Sequence, residues 1–495
     1  MRKNALSILI AIMVTLFVVV VADASAETDG IYTYSISNGE AEITKCDISA
    51  SGSITIPETF GGCPVTSIGS HAFENCTNIT SVEFPDSVEH IEYYAFRNCT
   101  SLISIEIPDN VTTIEKGTFA CCKNLISVKL GESVTSIGKS AFEDCYKLSD
   151  VEFSNKVISI GDSAFNCCYL LMNLEIPNSV TKIGRGAFSN TTWYNYQPNG
   201  TIYVGKVLYK YKGEMPSNTT IVIKDGTTCI TGSAFYNCAG LTSIKFPDSV
   251  TMIDDFAFQN CTGLTNVEIP NSVTIIGSSA FQNCTGLTNI KISNSVTAID
   301  SYTFDNCNSL ATINIPDSVT SIGICAFQKC NSLTDIVFPC NVNSVGALAF
   351  QSCYNLVNVV IPNSVTKIDN GAFNNCFNLG VVYYIGTDAQ WETINFTYNN
   401  SVILYANRVN KPHGLTQTNI SEDGKGFTVK PIAIDIGNTI IFALYSDGSL
   451  VDIKTGIHCG EPLVFETDLV YTNAKIMVWD NLTNLKPVCD VEIVQ

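Results

Sequence analysis

Phenylalanine recurs through this chain at a fixed interval. In each of two runs it returns every 23 residues, always directly after alanine or threonine. The thirteen members are Phe73, Phe96, Phe119, Phe142, Phe165, Phe188, Phe235, Phe258, Phe281, Phe304, Phe327, Phe350 and Phe373. A fixed period of about 20 to 50 residues is typical of stacked repeats, so we expect a solenoid rather than unrelated globular domains.

Each repeat is predicted to contain two extended segments. In the unit AFQNCTGLTNVEIPNSVTIIG, from Ala257 to Gly277, the segment 264–269 reads LxxVxI, which is typical of a strand with Val267 inside and Glu268 outside. A proline follows this strand in most repeats and ends its pairing. The segment around Ile276 predicts a second, shorter strand on the far side.

A single repeat of this kind is too small to fold alone. Its few apolar side chains do not offset the conformational entropy that 23 ordered residues lose. Stacking adds hydrogen bonds between repeats and burial against two neighbours, so stability is expected to be collective. The sequence therefore predicts a β-rich solenoid with a parallel sheet and 23-residue rungs.

One interruption and two atypical ends set the predicted domain plan. A 24-residue insert lies within residues 189–222, and its segment from Thr201 to Gly213 alternates like a β-hairpin around Gly205-Lys206. The hairpin either projects as a binding flap or folds back on the repeats, and folding back is favoured. We predict an N-terminal cap with a divergent first rung over 27–72, a solenoid over 73–408 closed by a cap over 381–408, a linker over 409–424, and a small all-β sandwich over 425–495.

The first 26 residues resemble a signal peptide. Arg2 and Lys3 precede an apolar run from Ala5 to Val21, and Ala24-Ser25-Ala26 is a small-residue cleavage site. We therefore expect a secreted or cell-surface protein, with an uncleaved N-terminal anchor as the alternative. We expect no other segment to insert into a membrane.

Charge and hydrophobicity exclude several classes of partner and fold. The net charge of -19 disfavours nucleic acid and anionic membranes, because contact with phosphates begins with repulsion. The chain is 45% apolar and only 15% charged, which excludes a disordered protein. A large core is required.

Twelve of the 21 cysteines lie three residues after a repeat phenylalanine, from Cys76 to Cys376. Adjacent rungs are about 4.7–4.9 Å apart, but parallel Cβ vectors do not converge enough for a disulfide. We therefore predict a ladder of buried free thiols. Two weaker predictions pair Cys46 with Cys63 and Cys459 with Cys489.

The sequence offers no converging catalytic group. Its four histidines, His71, His90, His413 and His458, lie in four different contexts. The triplet Gly161-Asp162-Ser163 is similar to an esterase block, but sister repeats carry GSS or GKS in the same place. We expect no enzymatic activity, no metal site and no cofactor.

The repeat LTxIxIPxSVTxIGxxAFxNC resembles the BspA-type leucine-rich repeats of bacterial and some protozoan surface proteins, over about residues 30–408. The resemblance implies a right-handed leucine-rich-repeat solenoid, export, and adhesion to host proteins or other cells. It implies no shared catalytic residues.

The predicted contact residues lie in the column two positions before the strand-ending proline. Most members of this column are charged, but the last three are Val337, Val360 and Tyr383, which predicts an exposed apolar stripe. The alternative is simple β-propensity, or coverage by a neighbouring domain. We expect the protein to be a monomer that binds host or cell-surface proteins or glycans; the alternative is a spacer that displays the C-terminal β module.

Overall fold

The computed structural model describes residues 26–384 and 388–394 continuously, and seven separate strands between 403 and 494. Two compact units divide the chain, Met1–Gln197 and Pro198–Gln495. The predicted signal peptide lies outside the described residues except for Ala26. No helix within the described part has the length and apolarity needed to cross a bilayer.

The first unit is a stack of coils, most of which have one strand on the front and one on the back; residues 171–177 of its last coil form no strand. Neighbouring strands pair in parallel with a 23-residue register, so that Val128 lies between Ile105 and Val151. The front strands are β4 (Ser51–Thr55), β7 (Asn78–Glu83), β9 (Ser104–Glu106), β11 (Ser127–Lys129) and β13 (Asp150–Glu152). The back strands are β6 (Cys63–Ile68), β8 (His90–Ile91), β10 (Thr113–Ile114), β12 (Ser136–Ile137), β14 (Ser159–Ile160) and β15 (Lys182–Ile183).

At its N-terminal end the first unit begins with a β-hairpin. Strands β2 (Tyr32–Ser37) and β3 (Glu40–Cys46) pair antiparallel, and β3 then pairs in parallel with the back strand β6. Strand β1 (Glu27–Asp29) adds to the hairpin edge, and β5 (Thr59–Phe60) pairs with β6. The hairpin therefore precedes the first coil, whose front strand is β4.

The second unit repeats this two-sided arrangement. Its front strands are β18 (Thr219–Val222), β20 (Leu241–Lys245), β22 (Asn266–Glu268), β24 (Asn289–Lys291), β27 (Asp335–Val337), β29 (Asn358–Ile361), β31 (Val381–Tyr384) and β32 (Ile403–Ala406). Its back strands are β19 (Cys229–Ile230), β21 (Met252–Ile253), β23 (Ile275–Ile276), β25 (Ala298–Ile299), β26 (Ser321–Ile322), β28 (Ser344–Val345) and β30 (Lys367–Ile368). The predicted solenoid of 23-residue rungs is confirmed within each unit.

The repeat phenylalanines form the centre of each core. Their rings stack in parallel at centroid distances of 4.7–5.7 Å in the first unit and 5.1–5.7 Å in the second, and all are buried. The backbone reinforces this stack, because Phe281 N donates to Thr303 O of the next rung at 2.9 Å. Each phenylalanine is thus held by its neighbours in both directions.

A tight turn surrounds each phenylalanine and explains a second column of residues. The positions two before and two after the phenylalanine both have positive φ, as at Ser279 (57°) and Asn283 (59°). Asparagine tolerates this left-handed conformation better than most side chains. The amide Nδ2 of Asn283 donates to Asn260 Oδ1 at 2.8 Å, and Asn306 Nδ2 donates to Asn283 Oδ1 at 2.8 Å. The asparagine column therefore links successive rungs.

The predicted ladder of buried free thiols is confirmed. All twelve ladder cysteines are buried and unpaired. Each thiol in the middle of a stack donates to the phenylalanine carbonyl of the preceding rung, as Cys284 Sγ does to Phe258 O at 3.2 Å. The predicted pairing of Cys46 with Cys63 is wrong, because both are free thiols. Cys459 and Cys489 lie outside the described residues.

The predicted insert is divided between the two units. Helix α1 (Thr192–Tyr196) ends the first unit: its N-cap Thr191 accepts from Tyr194 N, and Trp193 packs edge-on against Phe188 at 5.4 Å. The following hairpin, β16 (Gly200–Val204) and β17 (Val207–Lys212), begins the second unit. It does not project as a flap, because Leu208 is buried and β17 belongs to the back sheet.

This second hairpin has the same topology as the N-terminal cap. Strand β17 pairs in parallel with the first back strand β19, as β3 does with β6. In both units the first front strand carries an irregularity near its start, between Gly52 and Ser53 and between Thr219 and Thr220. A tyrosine ring lies near the first phenylalanine of each stack, Tyr32 at 6.2 Å from Phe73 and Tyr211 at 6.3 Å from Phe235. Each unit therefore has its own N-terminal cap.

The C-terminal part is described only as strands. Strands β33 (Thr418–Ile420) and β34 (Phe427–Val429) pair antiparallel, and β33 falls within the predicted linker. Strands β35 (Thr439–Ser446), β36 (Ser449–Ile457), β37 (Asn473–Trp479) and β38 (Glu492–Val494) form one antiparallel sheet. A two-layered sandwich stays a prediction. Before this region, helix α2 (Asp388–Glu392) places Trp391 against Tyr384 at 5.1 Å.

Replacing Phe281 by alanine should lower the free energy of unfolding by about 3–5 kcal/mol, because it leaves a cavity between two stacked rings. Urea denaturation measures the loss. Hydrogen exchange should rise first in the rungs on either side. The matched control is the exposed Ile275→Thr, which should change stability by less than about 1 kcal/mol. Uniform acceleration of exchange throughout the second unit would contradict the stacking account.

The ladder thiols should resist alkylation in the folded protein. Burial raises the pKa of Cys284 to about 12, so almost no reactive thiolate forms near neutral pH. We expect iodoacetamide to label the ten ladder cysteines from Cys99 to Cys353 only after denaturation, as measured by peptide mass spectrometry without reductant. Disulfide-linked ladder peptides from the native protein would contradict this prediction.

Candidate functional site

The three contact positions predicted from the sequence stand in one row. Val337 pairs in register with Val360, and Val360 with Tyr383. However, Val360 is only 3% exposed and Val337 is half-buried, so the expectation of an exposed stripe is wrong for Val360. Because valine is short and a strand lies on either side of Val360, little of its side chain is exposed to solvent. The side chain of Tyr383 lies outside the described residues, and a binding role for this row stays a prediction.

A larger exposed apolar surface lies on the first unit. We call it the front-edge patch, and it comprises Ile103, Ile126, Tyr146, Tyr169, Leu170 and Met172, of which Tyr146 is half-buried; the exposed Ser149 lies between Ile126 and Met172 in their column. Ile103 is 47% exposed, Ile126 45% and Met172 52%. Ile103 and Ile126 are direct neighbours, because Ile126 N donates to Ile103 O at 2.8 Å. The patch occupies the start of the front strands and the turn that precedes them.

The repeats themselves show that the fold does not require these apolar side chains. Ile103, Ile126 and Met172 occupy the position seven residues after the phenylalanine. Threonine is the commonest residue there, at Thr80, Thr242, Thr265, Thr288 and Thr334. These threonines serve the stack locally, since Thr288 Oγ1 donates to Thr265 O at 3.1 Å. The departure from threonine is visible in the sequence, but the prediction of contact residues was based only on the column two positions before the proline.

Two tyrosines extend the patch onto the turn. Tyr146 and Tyr169 lie four residues after their phenylalanines and stack on each other at 5.3 Å. In other repeats this position holds threonine, as at Thr100 and Thr262. The ammonium of Lys123, at the same position one rung earlier, lies 5.8 Å from the Tyr146 ring centroid. Each of the two stacked rings therefore covers one face of the other.

Acidic side chains border the patch along the strands. Farther along the chain from the patch, the exposed charged residues are Glu83, Glu106, Lys129, Asp150 and Glu152 on the front strands and Glu175 in the next coil, which has no front strand. The only cation in this set, Lys129, forms an ion pair with Glu106. On the turn side the patch is bordered by Lys123 and Lys147, both exposed. The strand side of the patch is therefore predominantly negative.

The second unit carries a smaller surface of the same kind. Tyr354 and Phe377 stack at 5.7 Å at the position of the Tyr146–Tyr169 pair, and both are exposed. Val357 replaces threonine in the neighbouring column and is also exposed. This cluster lies just before the strands that carry Val360 and Tyr383, in other columns than the three predicted contact residues.

The groups considered for catalysis do not converge. The exposed His71 has its Nδ1 2.6 Å from Glu74 Oε2, whereas His90 lies on the back strand β8. Ser163 occupies a left-handed turn position with φ of 53°, and Asp162 Oδ1 accepts from Arg185 N at 2.7 Å, so this triplet forms the repeat turn. Within the described residues, no three His, Cys, Asp or Glu side chains are grouped to hold a metal ion. His413 and His458 lie outside them.

One buried carboxylate is imperfectly satisfied. Asp305 is 8% exposed, and its Oδ2 accepts from Gln282 Nε2 at 2.8 Å while Oδ1 has no partner. Other repeats place glutamine at this position, as at Gln259 and Gln328. Burial raises the pKa of the Asp305 carboxyl, although the Gln282 hydrogen bond opposes the rise. The site is part of a side-chain ladder and not a catalytic pocket.

Comparison with known proteins identifies relatives of the repeat region. A model described as BspA type leucine-rich repeat region matches residues 66–194, 209–308 and 251–380, in six copies. These ranges cover more than half of the chain. No curated protein sequence matches it.

Several solved bacterial structures are also similar. A leucine-rich cell surface protein of Faecalibacterium prausnitzii is 27% identical, covering 76% of this chain and 99% of that one, with a TM-score of 0.31. A leucine-rich repeat protein of Bacteroides ovatus is 26% identical, covering 77% and 99%, with a TM-score of 0.29. The pneumococcal vaccine antigen PcpA is 18% identical, covering 77% and 98%, with a TM-score of 0.33.

Asp305 should make stability fall as pH rises. Its folded pKa is raised, so the folded protein binds the proton more tightly than the unfolded chain does. Stability from this group is fully present below the unfolded pKa of about 3.9 and is lost as pH rises through the higher folded value. Asp305→Asn should remove this pH dependence and stabilise the protein at neutral pH by about 1 kcal/mol. Thermal unfolding between acid and neutral pH measures it, and equal slopes for both proteins would contradict it.

Proposed function

The chain belongs to the BspA-type leucine-rich repeat family, and we propose that it is an extracellular or cell-surface binding protein that attaches to protein or glycan partners through its repeat surface. The proposed role is adhesive and not catalytic. Export is supported by the N-terminal segment with Arg2, Lys3 and the apolar run that follows, and by the family.

The front-edge patch is the observation that carries this proposal. Monomeric proteins rarely leave contiguous apolar surface exposed without a binding role. Here the sister repeats provide the comparison, because threonine holds the same backbone position at Thr80, Thr242, Thr265, Thr288 and Thr334. Isoleucine at Ile103 and Ile126 exposes more apolar area than threonine would. It also lacks the hydroxyl that could donate a hydrogen bond to the neighbouring rung. A contact surface explains this cost.

The alternative is a spacer that only displays the C-terminal β module. Rigid stacks of capped repeats suit this role, and the four-stranded sheet after residue 438 supplies a candidate module. A spacer, however, needs no apolar surface on its rungs, so the front-edge patch favours binding by the repeats. The two roles differ in whether binding depends on Ile103 and Ile126.

The double variant Ile103→Thr/Ile126→Thr should lose most binding to ligands that the wild-type protein selects on matrix-protein and glycan arrays. We expect a loss of about tenfold or more, since two apolar contacts disappear. Stability should change by less than about 1 kcal/mol, because threonine is the residue of the sister repeats.

The matched control is Ile158→Thr. Ile158 is 51% exposed, but it lies on the back, in a column where other repeats also carry threonine. This variant should bind like the wild type. Equal binding by all three proteins would reject the front-edge patch as the contact surface and would favour the spacer role.

A further inference from the structure

We propose that the front-edge patch binds a polypeptide segment that presents apolar side chains flanked by lysine or arginine. This inference rests on the proposed binding function and specifies the chemistry of the partner. It follows from the combination of an aliphatic surface, an acidic border and the geometry of the rungs.

The acidic border selects the charge of the partner. On the strand side of the patch, the first unit exposes five carboxylates, at Glu83, Glu106, Asp150, Glu152 and Glu175, and one lysine. That lysine, Lys129, is already paired with Glu106. A partner with carboxylates or phosphates on this side would meet repulsion, whereas a basic partner would gain complementary attraction.

The apolar side chains select the class of molecule. Ile103, Ile126 and Met172 are aliphatic, and they offer neither hydrogen-bond groups nor flat faces to a sugar ring. The stacked rings of Tyr146 and Tyr169 are 25° from parallel and cover each other on one face. Aliphatic and aromatic side chains of a polypeptide match this surface better than the hydroxyl-rich faces of a glycan do.

The spacing of the two columns sets where the partner carries its charges. The isoleucine column and the glutamate column are three residues apart along the strands, which corresponds to about 10 Å. Within each column, successive rungs are about 4.8 Å apart. The partner therefore lies across several rungs, with its apolar side chains along Ile103 and Ile126 and a basic side chain toward Glu152.

Three synthetic peptides of equal length test this inference with the full chain. The first places leucine on one face and lysine on the other, the second replaces lysine by glutamate, and the third replaces leucine by serine. Fluorescence anisotropy at low and physiological salt measures binding. Neutral phosphatidylcholine vesicles serve as a separate arm that reports attachment to lipid.

We expect the Leu/Lys peptide to bind about tenfold or more tightly than either other peptide. Only this peptide has both apolar side chains for the isoleucine column and basic side chains for the glutamate column. Ile103→Thr/Ile126→Thr should abolish this preference, and Ile158→Thr should keep it. Glu152→Gln should weaken binding by about twofold to fivefold at low salt, whereas Glu89→Gln, an exposed change on the back, should not.

Other outcomes overturn the inference. Equal binding of the Ser/Lys peptide would mean that net charge alone attracts, and equal binding of the Leu/Glu peptide would mean that apolar contact alone suffices. Binding to neutral vesicles that depends on Ile103 and Ile126 would replace a polypeptide by a lipid surface. If no peptide binds while an array ligand still requires Ile103 and Ile126, the partner chemistry is wrong but the proposed function stands.

Discussion

The contact between one rung and the next is the interaction on which each unit depends. A ring such as Phe281 has most of its surface covered by the preceding and following rings, and its backbone amide bonds to the next rung. The asparagine and cysteine columns add links of the same kind. Because these bonds join residues 20 to 26 positions apart, a rung has little that stabilises it alone, and the exposed ends of a stack need caps.

The sequence predicts well what every repeat shares and poorly what occurs once. The phenylalanine column, the strand before each proline and the buried thiols follow from a period that fixes spacing, burial and pairing together. The alternation from Thr201 to Gly213 predicts a hairpin. Its position as the cap of the second unit depends on the pairing of Val207 with Cys229, which no local sequence pattern indicates. The burial of Val360 likewise depends on its neighbours across strands.

A repeat protein contains its own comparison set, and this makes its surface interpretable. The thirteen phenylalanines mark equivalent positions in repeats that share one backbone conformation. A departure such as isoleucine at Ile103 is therefore not required by the local structure. The same comparison distinguishes two kinds of departure. Asp305 stands where other repeats have glutamine and leaves one buried carboxylate oxygen without a hydrogen bond, whereas the isoleucines are on the surface. In an acidic protein, an aliphatic patch with a carboxylate border fits recognition of a basic polypeptide better than contact with nucleic acid.

Residue-resolved hydrogen exchange of the wild-type protein tests the central claim most directly. If rungs are stabilised by their neighbours, the amides that bond to the next rung should be most protected in the middle of each unit, and protection should decline toward both ends. The decline should appear separately in residues 26–197 and in the stack that begins at residue 198. Protection that varied from repeat to repeat without regard to position, or unprotected amides at the repeat phenylalanines, would contradict the account.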